Sequence, residues 1–127
     1  MAIKVIQWAT GGVGRAAIQD IAAHPELELV GCWVSSQAKA GRDAGEICGL
    51  PPVGVTATND AEELIKLQAD CVVYSPIMAD EALVGRLLAS GKNVVTPLNW
   101  FYPGISNCFA FGTSLLISLR CTGRQRV

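Results

Sequence analysis

The residues best placed to do chemistry are small ones. Ala9-Thr10-Gly11-Gly12-Val13-Gly14-Arg15 directly follows a β-branched run and opens a helical pattern. In the register of a G-x-G-x-x-G turn it reads Ala9-x-Gly11-x-x-Gly14, with alanine at the first glycine position. Gly11 would let the backbone approach a diphosphate, and Gly14 would let the helix pack on the strand. Free amides at a helix N-terminus, helped by the helix dipole, would hold the phosphates. Ala9 is tolerable there if its φ is negative, because a methyl group then adds little strain. A tight strand–helix turn without a ligand is the plainer reading of the same string.

A second group concerns the ribose end of such a ligand. An acidic residue about 20 positions beyond the turn would bind a 2′-hydroxyl, as in NAD sites. Val34, Ser35 and Ser36 stand there instead, and no acid follows until Asp43. Ser35, Ser36, Lys39 and Arg42 could meet a 2′-phosphate, which leans towards NADP with NAD as the alternative. Lys39 and Arg42 read equally well as solvated loop charges. Tyr74-Ser75-Pro76 and Thr96-Pro97 end two further strands, where ligands of open α/β sheets sit. Other residues read as structural: His24 as a helix-end residue, Cys32 and Cys71 as core, and Glu46, Glu62 and Glu63 as surface. Trp100-Phe101-Tyr102 reads first as packing.

These residues need a scaffold, and the chain alternates short β-rich runs with helical patterns. Strands are expected over Ile3–Trp8, Leu27–Val34, Val53–Ala57, Asp70–Ser75 and Asn93–Thr96. Helices are expected over Val13–Ala23, after a cap at Asn59 or Asp60, and after Asp80, with one helical turn near Asp43–Cys48. Near-continuous apolar strands alternating with helices predict an α/β fold, a doubly wound parallel sheet covered on both faces.

Composition narrows the function classes. The chain has 127 residues, half of them hydrophobic and 17% charged, which suits one packed domain. Ten basic and eleven acidic side chains give a net charge of −1, without the basic excess of a nucleic-acid binder. Mean hydropathy is +0.35, yet no apolar stretch reaches the ~20 residues of a membrane span. Five cysteines without a C-x-x-C pair, and one histidine, support neither a disulfide framework nor a zinc site. A cytoplasmic protein with reduced thiols is expected, with no membrane and no metal.

The blocks Val5-Ile6-Gln7-Trp8-Ala9-Thr10-Gly11-Gly12-Val13-Gly14-Arg15, Leu29-Val30-Gly31-Cys32-Trp33-Val34, Lys39-Ala40-Gly41-Arg42-Asp43-Ala44-Gly45-Glu46, Val73-Tyr74-Ser75-Pro76 and Asn93-Val94-Val95-Thr96-Pro97 resemble the dihydrodipicolinate reductase-like proteins. They are similar also to 2,4-diaminopentanoate dehydrogenase. The resemblance covers about residues 2–104. It implies a Rossmann-type NAD(P)-binding domain over 1–104, and hydride exchange at a carbon–nitrogen double bond or an amine carbon. It also implies contacts from Gly11, Gly12, Val13, Gly14 and Arg15 to the diphosphate, and a place for Ser75 and Pro76 by the nicotinamide ribose. Full-length relatives carry a second domain that binds an amino-acid-like substrate and drives homo-oligomerisation.

The expectation here is that this second substrate domain is missing. Residues 105–127 then form an atypical tail, frameshifted or disordered. No catalytic residue is assigned. The competing reading is a non-catalytic, truncated nucleotide-binding module.

Overall fold

The computed structural model describes residues 2–78 and 80–96. Five parallel strands form one sheet: β1 (Ile3–Trp8), β2 (Leu27–Trp33), β3 (Ala57–Thr58), β4 (Cys71–Tyr74) and β5 (Asn93–Val95). Their order is β3-β2-β1-β4-β5. Four helices connect them: α1 (Gly12–Ala23), α2 (Ala44–Ile47), α3 (Ala61–Lys66) and α4 (Glu81–Ala89). The chain leaves β1 towards β2 on one side and returns to β4 on the other. Strand order therefore reverses at β1, and the crevice at its carboxyl end is where such sheets bind ligands.

Neighbouring residues of β2 show the two layers. Cys32 is buried with Ile18 of α1, Ala44 and Ile47 of α2, and Ala57. Trp33, the next residue, packs with Trp8, Tyr74, Leu64 of α3, and Val84, Leu87 and Leu88 of α4. Side chains of a strand alternate between faces, so α1 and α2 cover one face and α3 and α4 the other. Fully burying a side chain such as Leu87 contributes about 2 kcal/mol.

Helix boundaries follow local chemistry. α1 stops at His24, whose backbone is extended (φ −92°, ψ 120°), as expected for a residue before proline. His24 Nδ1 accepts from the Glu26 amide at 3.2 Å. α4 ends at Ser90, and Gly91 follows with φ +95°, a left-handed conformation that suits a residue without a Cβ.

The third strand departs from expectation. Val53–Ala57 does not form a strand along β2; only Ala57 and Thr58 pair with it. Asp43 is the reason. Its Oδ1 accepts from the Val53 amide at 2.9 Å and its Oδ2 from the Gly54 amide at 2.8 Å. Thr56 forms an antiparallel bridge with Asp43, and the Ala57 amide donates to Arg42 at 2.8 Å. These backbone groups bond to the Arg42–Ala44 stretch and are withdrawn from the ladder.

Among the described residues no helix is long and apolar enough to cross a membrane. No group of three or more His, Cys, Asp or Glu that could hold a metal ion occurs there. The expected tail over 105–127, Pro97 and the Trp100–Tyr102 cluster lie outside the described residues.

Candidate functional site

β1 delivers the chain to the glycine turn at the centre of the sheet. The turn begins with a correction. Ala9 has φ +80°, not the negative φ expected for an alanine. An L-residue with a Cβ is strained in that region by about 1–2 kcal/mol. The turn thus keeps a glycine-like backbone at its first position although the side chain is alanine. The Ala9 amide donates to Trp33 at 2.9 Å, which ties the turn to the end of β2.

Gly11 is the N-cap of α1 and makes no side-chain capping bond; the first turn carries no acid. A Cβ added at Gly11 or Gly12 would meet nothing within 4 Å. At Gly14 an added Cβ would overlap the carbonyl oxygen of Ala9 and stand 3.0 Å from Gln7 Nε2. The open glycines thus face free space, whereas the closed one sets how near α1 comes to β1. Val13 is 57% exposed beside them, and Arg15 is also exposed.

The loop after β2 reaches the same turn. Thr10 is buried, and its Oγ1 accepts from Lys39 Nζ at 3.3 Å. Ser35, Ser36 and Arg42 are exposed on that loop. Ser36 shapes it, with its carbonyl accepting from the Lys39 and Ala40 amides at 3.2 Å. Burial pushes the Cys48 thiol above its usual range, and the nearby charges of Arg15 and Lys39 pull it the other way. Both cations therefore act on one region beside the turn. Cys32, deeper in the same layer, is pushed up to about 12 by burial and by Cys48. Its thiol stays protonated and packs as a small apolar group.

The β4 end comes in from the other side. The Ser75 amide donates to Trp8 at 3.1 Å. Gln7 Nε2 donates to Ser75 Oγ and to the Ala9 carbonyl, each at 2.9 Å. Tyr74 faces inward: its ring is tilted against Trp8 at 6.4 Å, and its hydroxyl accepts from the Asp80 amide at 2.8 Å. Burial, the largest cause, raises the Tyr74 phenol above its ordinary value. Pro76 and Thr96 are half-buried at the ends of β4 and β5.

Beneath these ends, on the α3/α4 face, lies a cleft of about 360 Å³. Trp8, Trp33, Tyr74, Pro76, Asp80 and Arg86 are among its lining residues. Trp8 and Trp33 are register partners, and their rings stack at 5.1 Å and 8°. The Trp33 indole N–H is buried without a partner among the described residues. An Arg86–Glu62 ion pair of 2.5 Å joins α4 to α3.

Of the expected site residues, Lys39 thus meets the turn at Thr10, and Ser75 is tied to the turn at Ala9 through the Gln7 amide. Gln7 and the tryptophan stack were not foreseen. For Gln7 the available signal was a neutral amide in a strand otherwise apolar after Lys4. For the stack there was none, because it depends on register.

A five-stranded parallel sheet, wound on both faces and carrying a glycine turn at its switch point, defines a Rossmann-type nucleotide-binding module of oxidoreductases. Residues 3–96 match the family described as dihydrodipicolinate reductase, N-terminus, and the chain belongs to that family. It is 43% identical over 101 residues to an amine dehydrogenase of Streptomyces virginiae, covering 75% of this chain and 28% of that protein. It is 44% identical over 63 residues to a 4-hydroxy-tetrahydrodipicolinate reductase of Synechococcus elongatus, covering 50% of this chain and 23% of that one. The chain thus spans about a quarter of the length of these relatives.

Among solved structures, amine dehydrogenase from Mycobacterium smegmatis superposes with a TM-score of 0.83 at 23% identity, over 96% of this chain and 37% of that one. Biliverdin reductase from Synechocystis, solved with biliverdin and NADP⁺, superposes with a TM-score of 0.70 at 21% identity, over 96% and 36%. At such identities the likeness is one of fold.

Proposed function

We propose that this domain binds a nicotinamide dinucleotide, NADP in preference to NAD, as the cofactor-binding part of an oxidoreductase. The observation that carries this reading is the start of α1. Its amides lack a side-chain cap and an acidic neighbour, its two leading glycines face open space, and Gly14 holds the helix against Ala9. A diphosphate there would receive backbone N–H bonds and the positive end of the dipole. Ala9, Thr10, Gly11, Gly12, Val13, Gly14 and Arg15 form that cradle.

The loop after β2 supports the preference for NADP. Lys39 already reaches Thr10, and Ser35, Ser36 and Arg42 add donors around a 2′-phosphate. The first acid after the strand, Asp43, is engaged by the amides of Gly45, Val53 and Gly54. It is therefore withdrawn from a ribose 2′-hydroxyl. Ser75, Pro76 and Thr96, with the backbone of Tyr74, border the nicotinamide ribose.

When bound, the nicotinamide supplies hydride exchange, and the protein's part is to hold and orient it. By family membership the exchange is with a carbon–nitrogen bond, in an imine or an amine of an amino-acid-like substrate. Residues 1–104 form the cofactor domain on this reading, and substrate recognition belongs to residues outside it.

The test is a fluorescence titration of the full chain with NADPH and with NADH. Tighter binding of NADPH by about tenfold or more is expected, since one charge-assisted phosphate contact contributes about 1.5–3 kcal/mol. In Lys39→Ala the two affinities should approach each other. Equal affinities in the unaltered chain remove the NADP preference, and binding of neither removes the cofactor reading.

A further inference from the structure

We infer that Gln7 is a positioning residue that locks the diphosphate turn to the end of β4, so that both halves of a dinucleotide meet a site of fixed span. The inference rests on the cofactor reading above. Gln7 is wholly buried in the central strand. A buried amide there is costly, and its Oε1 has no partner among the described residues. An unsatisfied buried acceptor is a net cost, while an apolar side chain of the same shape would carry no such penalty.

The other end of the same amide is fully engaged. Nε2 lies 2.9 Å from the Ala9 carbonyl, 2.9 Å from Ser75 Oγ and 3.3 Å from the Trp8 carbonyl. Main-chain carbonyls only accept, so the nitrogen must face them and the oxygen must point away. Its two strongest contacts go to two different segments. The Ala9 carbonyl belongs to the peptide plane that follows the left-handed Ala9 and opens the glycine turn. Ser75 opens the exit from β4, and its own hydroxyl donates back to Trp8 at 3.3 Å. The fit is close, since a Cβ at Gly14 would stand only 3.0 Å from Nε2. One side chain thus fixes the turn, the start of α1 and the β4 end relative to one another. A purely structural residue at this position would be apolar.

The experiment compares ligands of two lengths on the full chain. The long ligand is whichever dinucleotide the unaltered chain binds, NADPH or NADH. The short one is its matching adenosine half, adenosine 2′,5′-bisphosphate or AMP, which does not reach Ser75. Gln7→Met keeps the length of the side chain and removes the amide. The dinucleotide should bind at least about tenfold more weakly, because the turn and the β4 end are no longer held at one span. The adenosine half should stay within about twofold.

Equal loss for both ligands, or no loss for either, overturns the positioning role. If Gln7→Met does not fold, the side-chain amide of Gln7 in the unaltered protein is followed by NMR. Its resonances should shift with the dinucleotide and not with the adenosine half. A Gln7 signal blind to the dinucleotide overturns the role as well. An unaltered chain that binds no dinucleotide overturns the cofactor reading, and this role with it.

Discussion

Among the described helices, α2, α3 and α4 begin on an aspartate, and α1 begins on a glycine. Asp43 Oδ1 accepts from Gly45 at 2.8 Å, Asp60 Oδ1 from Glu62 at 3.0 Å and Asp80 Oδ1 from Leu83 at 3.2 Å. Each of those helices also carries glutamate in its first turn: Glu46, Glu62 with Glu63, and Glu81. In α1 the cap is Gly11, no side chain bonds the first amides, and no acid is near. An N-terminal carboxylate stabilises a helix by about 0.5–2 kcal/mol. The chain takes that gain three times and forgoes it at the helix that starts from the sheet's switch point. On the proposed function, that uncapped terminus is the one left to an anion from outside the chain.

The strongest way to break this contrast is to push α1 away from β1. Gly14→Val sets a branched side chain against the Ala9 carbonyl and Gln7. Overpacking against a fixed backbone costs about 3 kcal/mol. The urea midpoint should fall accordingly and dinucleotide binding should be abolished. Retained affinity would mean that the start of α1 does not grip the ligand.

The capped helices are not equal, and the next test separates them. Asp43 holds three amides across two segments, whereas Asp60 bonds one. Asp43→Ala should cost about 3 kcal/mol and Asp60→Ala about 1 kcal/mol in chemical denaturation. The hydrogen bond from Val53, with those from Gly45 and Gly54, lowers the Asp43 pKa below its ordinary 3.8. A lowered folded pKa means that the stabilisation is complete above pH 3.8 and is lost as pH falls further, through the folded value. Stability measured from pH 5 downwards should therefore drop in the unaltered chain, and drop less in Asp43→Asn. Parallel pH curves for the two proteins would contradict the clamp.

Asp43 also shows why part of the fold could not be read from the chain. β1, the helix caps at Asp60 and Asp80 and the glycine beyond α4 are local signals, and they stand where the residues point. Val53–Ala57 is equally β-rich, yet a carboxylate ten positions earlier takes two of its amides. The glycine turn was legible from spacing, and the place of Lys39 beside it follows from a short loop. The Gln7 tie and the Trp8–Trp33 stack depend on which strands become neighbours. That is a property of the strand order and register, not of any short window.

Making α1 resemble its neighbours sharpens the contrast without disturbing packing. A Cβ at Gly11 meets nothing within 4 Å, so Gly11→Asp should fold. The new cap should add a few tenths of a kcal/mol to stability. The same carboxylate would face the diphosphate and repel it, weakening dinucleotide binding by about tenfold or more. Stability and affinity should move in opposite directions in one variant. An affinity that stays level while the helix gains its cap would show that the open terminus has no anion to serve.

The smallest effect is expected at Ala9, where the turn keeps a glycine conformation without a glycine. At φ +80° the methyl group costs about 1–2 kcal/mol. Glycine would relieve that strain but would also widen the unfolded ensemble, at a cost of about 0.5–1 kcal/mol. Ala9→Gly should thus stabilise the chain by only about 0.5 kcal/mol. The sign matters more than the size: a left-handed alanine gains from the exchange, whereas one with negative φ loses by it. A lower urea midpoint in Ala9→Gly would mean that the backbone at the mouth of the turn is not left-handed. The Gln7 bond to the Ala9 carbonyl, which depends on that peptide plane, would then lose its geometric basis.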